Sequence, residues 1–303
     1  MFDFLQVLYG SVIAVFSAAA IMAINQMFEL CPQWYPSCMR QQPLATTCAI
    51  TSAKVVYKRW KWRNFFISFV HSMVTGIGSL MCALYMPSLL VDVIDCYLEG
   101  AYILTSISLG YFVYDLIEMI THLQYKGTKE LLVHHILIIS CFLLTVTQYK
   151  YCGYATIALL IEISNIFLHF RQLLLLSDTP KSSLVYKVNC YTNLVLFIIV
   201  RVACLAWLWT TLIWVLPKVP IIAKTIAFTS LIGICTMTYV LFVRIYQSDF
   251  GADNRRDLQR NGINNESANA GAEQALLGGG GRKSGQTLEQ SNGFSKSTNE
   301  KNS

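Results

Sequence analysis

Residues 131–148 read LLVHHILIISCFLLTVTQ. These eighteen residues contain no Asp, Glu, Lys or Arg, and two adjacent histidines, His134 and His135, stand near their start. A helix of that length, at 1.5 Å per residue, covers most of the ~30 Å hydrocarbon core of a bilayer. A helix on a soluble protein's surface would carry a charged face, and this stretch has none.

Reading outward on both sides, six more apolar runs occur, at about 5–24, 65–86, 101–121, 153–174, 190–215 and 220–243. The chain of 303 residues is 54% hydrophobic and only 13% charged, about half the charge of an ordinary soluble domain. That balance excludes a soluble enzyme, a nucleic-acid binder and a disordered protein. It leaves an all-α polytopic membrane protein of about seven transmembrane helices.

The charge is unevenly spread. Residues 251–303 hold 13 of the 40 charged residues, nine of the 17 glycines and a single aromatic, Phe294. A tail so rich in Gly, Ser, Asn and Gln cannot bury enough surface to fold and is expected to be disordered. Three regions follow: an N-terminal anchor and loop (1–54), a helical bundle (55–250) and a C-terminal tail (251–303).

Loop charges set an expected orientation. The loop after the first run carries Arg40, Lys54, Lys58, Arg59, Lys61 and Arg63, whereas the next has only Asp92, Asp95 and Glu99. Lys126 and Lys129 follow the third run, Lys150 the fourth, Arg171, Lys181 and Lys187 the fifth, Lys218 the sixth, and Arg244 opens the tail. The positive-inside rule then places the N-terminus outside and the C-terminus in the cytosol. The first run reads as an uncleaved anchor, since it is longer than a typical signal-peptide core and Met1-Phe2-Asp3 is not basic.

The segment from Lys58 to Arg63 reads as a cytosolic stop with an aromatic belt, or as a site for anionic headgroups. The ten cysteines form no Cys-x-x-Cys pair, so no zinc site is expected. Cys31 is a candidate for palmitoylation, Cys96 and Cys152 share the outer side and could pair, and the Asn265 sequon falls in the cytosolic tail.

Ionisable groups in hydrocarbon cost roughly 2.5–3.5 kcal/mol each on insertion scales, so each calls for a reason. The runs carry His71, then Asp115 and Glu118, then His134 and His135, then Glu162, Asn165 and His169, and finally Asn193 and Arg201. Asp115, Glu118 and His122 share one helical face, as do Glu162, Asn165 and His169. Glu162 and Arg201 lie near mid-depth and could neutralise each other. Most of these groups fall in the half nearer the cytosol, which predicts a polar cavity opening that way. Within it His134, His135 and Asp115 are the candidate acid/base residues. The remaining lining expected is His71, Glu118, Glu162, Asn165, His169 and Arg201. Polar groups can also act simply as interhelical glue.

At these residues the chain resembles the TLC-domain membrane protein family, which includes the ceramide synthases. The His134-His135 pair is similar to the family's His-His motif. Further stretches that carry the likeness are Trp62-Arg63-Asn64-Phe65 through His71-Ser72, Gly110 to Asp115, Leu132 to His135, Leu160 to Leu168, and Tyr186-Lys187-Val188-Asn189. The likeness spans about residues 55–250. Where ceramide synthases read His-Asp-x-x-Asp, this chain reads Ile161-Glu162-Ile163-Ser164-Asn165. Two members of that polar set are changed, which argues against N-acylation by acyl-CoA.

Within the family the likeness is greatest to a membrane-fluidity subgroup. It implies a plasma-membrane protein, with the endoplasmic reticulum the alternative. It also implies control of phospholipid composition by limiting incorporation of long-chain polyunsaturated fatty acids. Membrane phospholipids and acyl chains are the partners implied, acyl-CoA among them, with no cofactor, no metal and no nucleic acid. The alternatives are an acyltransferase using His134 or His135 and a non-enzymatic channel regulator or lipid sensor.

Overall fold

The structure, a computed structural model, describes residues 2–40, 49–122 and 128–249. Lys126 and the tail with its Asn265 sequon lie outside the described residues. Residues through Ile245 form one compact unit; a second, beginning at Tyr246, adds only the end of the last helix to what is described.

The described residues contain helices and no strands. In chain order they are α1 (Phe2–Leu30), the short α2 (Ser37–Arg40), α3 (Ala49–Tyr85), the short α4 (Ser88–Val91), α5 (Glu99–Thr121), α6 (Thr128–Gln148), α7 (Cys152–Leu160), α8 (Glu162–Leu176), α9 (Leu184–Leu196), α10 (Val202–Val215) and α11 (Ile221–Asp249). They make seven apolar spans, with α7 and α8 sharing the fifth and α9 and α10 the sixth. The seven runs read from the sequence are all present as spans.

Several ends differ from the sequence expectation. α1 runs on to Leu30 rather than stopping near 24, and α3 begins at Ala49 rather than near 65. The 37 residues of α3 extend about 55 Å, well beyond a ~30 Å core. Hydropathy detects only the part in hydrocarbon, so the basic segment Lys58–Arg63 is helical, not loop. The fourth and fifth spans are joined by Tyr149, Lys150 and Tyr151 alone. This tight turn is reached by putting Tyr149 (φ 55°) and Tyr151 (φ 67°) in the left-handed region. Such a conformation is costly for bulky side chains and persists only where packing enforces it. Here Tyr149 stacks on Tyr97 at 4.5 Å, and the Tyr151 N–H donates to the Ile94 carbonyl.

α5 is the centre of the bundle. It is the most buried of the seven spans, and α1, α3, α6 and α7 pack against it. Between membrane helices, association rests on close packing and hydrogen bonds, because lipid tails are as apolar as Leu. The small residues of α5 serve this. At Gly110 a Cβ would lie 2.2 Å from the Ala14 carbonyl oxygen, so only glycine lets α1 and α5 cross there. Gly76 of α3 does the same for α8, where a Cβ would lie 2.9 Å from the Ile163 nitrogen.

One end of the bundle, the basic end, is rich in Lys and Arg. There Arg63 donates to Glu29, Arg59 to the Met39 carbonyl at 2.8 Å, and Lys58 bridges Asp178 at 2.7 Å. The carboxyl of Asp178 is held below its usual range, chiefly by the hydrogen bond from Lys58. Trp62 donates to Ser177 and Trp60 to Glu118, so both indole N–H groups are turned into the protein. Cys31, Cys38, Cys96 and Cys152 are all free thiols. Cys96 and Cys152, which could have paired, do not.

Candidate functional site

Two breaks in helical regularity shape the site. The fifth span is interrupted at Ile161, between α7 and α8. The sixth carries a π-helical turn, Phe197–Arg201, between α9 and α10. Single π turns inside α-helices recur at functional sites because they re-aim one side chain. Here the turn ends on Arg201, which is 7% exposed. Its guanidinium donates to Ser164 Oγ at 2.9 Å, to Thr238 Oγ1 at 3.2 Å, and to the Asn165 side-chain oxygen.

Glu162 begins α8 just after the break. It accepts from Ser72 Oγ at 2.6 Å and from Asn165 Nδ2 at 3.0 Å. Glu162 and Arg201, which the sequence suggested could neutralise each other, are linked through a third residue. Asn165 stands between them, with its amide donating to the carboxylate and its oxygen accepting from the guanidinium. Both charges are thereby hydrogen-bonded, the condition under which buried charges are tolerated.

Opposite this network, α5 and α6 contribute a second pair. His135 Nε2 lies 2.9 Å from Asp115 Oδ2, and His135 Nδ1 lies 2.8 Å from the carbonyl of Leu131. A carbonyl only accepts, so Nδ1 carries a proton. One further proton then lies between Nε2 and the carboxyl group, on one or the other. Both residues are deeply buried, His135 4% and Asp115 3% exposed. The other oxygen, Asp115 Oδ1, is buried without a hydrogen-bond partner, as is His169 Nδ1. Buried polar atoms are seldom left unsatisfied. These two therefore mark where a ligand's polar group or a water would bind.

The two sets face one cavity of about 360 Å³. Asp115, His135, Glu162, Asn165, His169 and Arg201 all line it, with Lys61 and Arg244 among the other lining residues. Phe65, Phe112, Leu168, Met237 and Leu241 add apolar walls. Six of the residues singled out from sequence thus come together.

Three do not. His134 does not line the cavity; its ring meets that of His135 edge-on at 5.7 Å, and its Nδ1 is buried without a partner. Adjacent helical residues point about 100° apart, so only one of the pair can face the site. His71 sits instead in an apolar groove, stacked on Tyr111 at 3.8 Å and 3.3 Å from Ser108 Oγ. Glu118 is a tie between helices, accepting from Asn25 and Trp60 at 3.0 Å each. Conversely, Ser72 and Thr238 hold the site's charges but gave no signal in sequence, since hydroxyls occur throughout the spans. Among the described residues no group of three or more His, Cys, Asp or Glu is arranged to hold a metal.

The molecule is thus a multi-pass helical membrane protein with a polar, acid/base-bearing cavity enclosed by its spans. It belongs to the TLC-domain family: residues 61–247 match the TLC domain, as the likeness in its motifs implied. TLC domain-containing protein 2 of Danio rerio is 38% identical over 191 residues, covering 63% of this chain and 77% of that protein. TLC domain-containing protein 1 of Mus musculus is 31% identical over 193 residues, covering 64% and 77%. The human TLC domain-containing protein 1 is 32% identical over 197 residues, again covering 64% and 77%. No solved structure matches the chain.

Proposed function

We propose that this protein sets the fatty-acid composition of membrane phospholipids, limiting incorporation of long-chain polyunsaturated chains and so controlling membrane fluidity. One observation carries the reading. The cavity joins the His135–Asp115 pair and the Glu162–Asn165–Arg201 network to apolar walls, within the membrane-spanning helices. Such a site suits an amphiphile, whose headgroup meets the polar atoms while its chain lies on the apolar side. The unpartnered Asp115 Oδ1 and His169 Nδ1 supply contacts for that head. Lys61 and Arg244 on the lining favour an anionic group. Membrane phospholipids and acyl chains are the partners. The same reading has the protein in the plasma membrane, N-terminus outside and C-terminus in the cytosol; the loop-charge pattern supports that orientation.

A second reading, acyl transfer, has its own support. A buried His–Asp pair with one shared proton is a competent acid/base unit. An acceptor hydroxyl or amine would yield its proton to the pair as it attacks an acyl thioester, and the thiol would leave. Lipidomics of a deletion line, rescued with wild type or with His135 and Asp115 variants, tests both. Unchanged acyl composition in the deletion line rejects the lipid role. Full rescue by the variants rejects the catalytic reading alone.

A further inference from the structure

α1 and α3 form the two sides of a wedge. At the basic end they are joined, with Arg63 donating to Glu29 and Phe28 packed on Trp62 and Phe66. Farther along, α1 leans on α5 instead. Gly110 admits the backbone of Ala14, and Ser17 Oγ donates to the Ile107 carbonyl at 3.0 Å. The two helices therefore part, leaving a groove of about 710 Å³ separate from the polar cavity.

Its walls are Val12, Phe16 and Ala20 of α1 and Val70 and Val74 of α3. The rim is open to the side: Phe16 is 71% exposed and Val74 51%. The groove has two polar side chains, and both are engaged. The Ser17 hydroxyl is on Ile107, and His71 Nε2 is paired with Ser108. None of the buried polar side-chain atoms left unpartnered among the described residues belongs to a groove residue. The protons of both are thus already engaged, and the lining is otherwise hydrocarbon, unlike that of the polar cavity. Along α1 the lining runs from Val12 to Ile24. Twelve steps of 1.5 Å give about 18 Å, close to the ~15 Å depth of one leaflet's hydrocarbon.

We propose that this groove binds one acyl chain of a bilayer phospholipid, admitted sideways, with the headgroup remaining outside. Hydrocarbon of leaflet length satisfies both its lining and its reach. The back wall is the stack of His71 on Tyr111. Tyr111 lines the polar cavity on its other side, where its hydroxyl donates to Ser68 at 2.8 Å. The TLC-domain match begins at residue 61, so the groove's first wall comes from a helix that precedes the domain. The assignment does not depend on the function proposed above.

The test is photolabelling of the full chain in phosphatidylcholine nanodiscs doped with a phosphatidylcholine carrying a mid-chain diazirine. Adducts mapped by peptide mass spectrometry are expected to concentrate on residues 12–24 and 66–74. Ala20→Phe fills the groove from α1, and Val70→Phe fills it from α3; both positions are lipid-exposed, so folding is preserved. Each is expected to cut labelling of those segments roughly tenfold, a factor equivalent to ~1.4 kcal/mol of binding. Labelling at exposed Trp214 and Ile221 should stay constant. Adducts spread evenly over the lipid-facing surface would overturn the proposal, as would labelling unchanged in both variants. Preferential labelling of the groove by a diazirine sterol, or α1–α1 cross-links from Phe16→Cys, would assign it to another occupant.

Discussion

Replacing Asp115 by Asn or by Ala separates the hydrogen bond of the His135–Asp115 pair from its shared proton. His135 donates from Nδ1 to the Leu131 carbonyl, so Nε2 is the atom facing Asp115 at 2.9 Å. In Asp115→Asn the amide nitrogen takes the place of Oδ2 and donates to a neutral Nε2. The geometry survives and the shared proton is gone. In Asp115→Ala, Nε2 is left without a partner at a residue only 4% exposed. Breaking a buried pair by removing one partner costs about 3–5 kcal/mol, whereas exchanging one satisfied hydrogen bond for another costs at most about 1 kcal/mol. For a unit of this size each kcal/mol shifts the midpoint by about 2–4 °C. Ala should therefore lower Tm by roughly 6–20 °C and Asn by no more than about 4 °C. The assay is thermal unfolding of the full chain in nanodiscs, followed by tryptophan fluorescence. Equal losses in the two variants would refute the hydrogen-bond assignment. An Ala variant as stable as wild type would refute the burial argument.

Three further outcomes are expected. Gly110→Ala puts a Cβ 2.2 Å from the Ala14 carbonyl oxygen, so α1 must move off α5; a loss of about 1–3 kcal/mol is expected by the same unfolding assay, and a neutral result would contradict the close crossing. Lys58→Ala should cost less than about 1 kcal/mol at neutral pH, since the bridge to Asp178 is exposed. The carboxyl of Asp178 is lowered by Lys58, so the bridge contributes fully above the unfolded value of about 3.9 and is lost as pH falls through the folded value. The wild-type advantage in Tm should disappear on titration to low pH; an advantage undiminished there would deny the bridge. A tag after Lys301 should be protected in intact cells and one ahead of Met1 accessible to antibody; the reverse would overturn the proposed orientation.

Much of the fold was legible because hydrocarbon imposes a length, and seven apolar runs met it. The site was partly legible for the same reason. Asp115, Glu162, His169 and Arg201 are expensive in such runs, so their presence pointed to a shared polar interior. Periodicity, however, fixes faces within a helix and not which neighbour each face meets. Asp115 and Glu118 share a face by spacing, yet one meets His135 and the other meets Asn25 and Trp60. His71 looked like a cavity residue and stands behind Tyr111 instead. The break at Ile161 and the π turn at Phe197–Arg201 have no Pro or Gly to announce them. They are products of packing, and they decide where Glu162 and Arg201 point.

The cavity is proposed to govern phospholipid acyl composition. The most direct measurement is phospholipid lipidomics on deletion cells rescued with wild type, Asp115→Asn or His135→Ala at matched expression. A rise in long-chain polyunsaturated species is expected on deletion, restored by wild type. Asp115→Asn, which keeps the fold, should fail to restore it if the shared proton is used. A deletion line whose phospholipid acyl chains match the parent would contradict the claim.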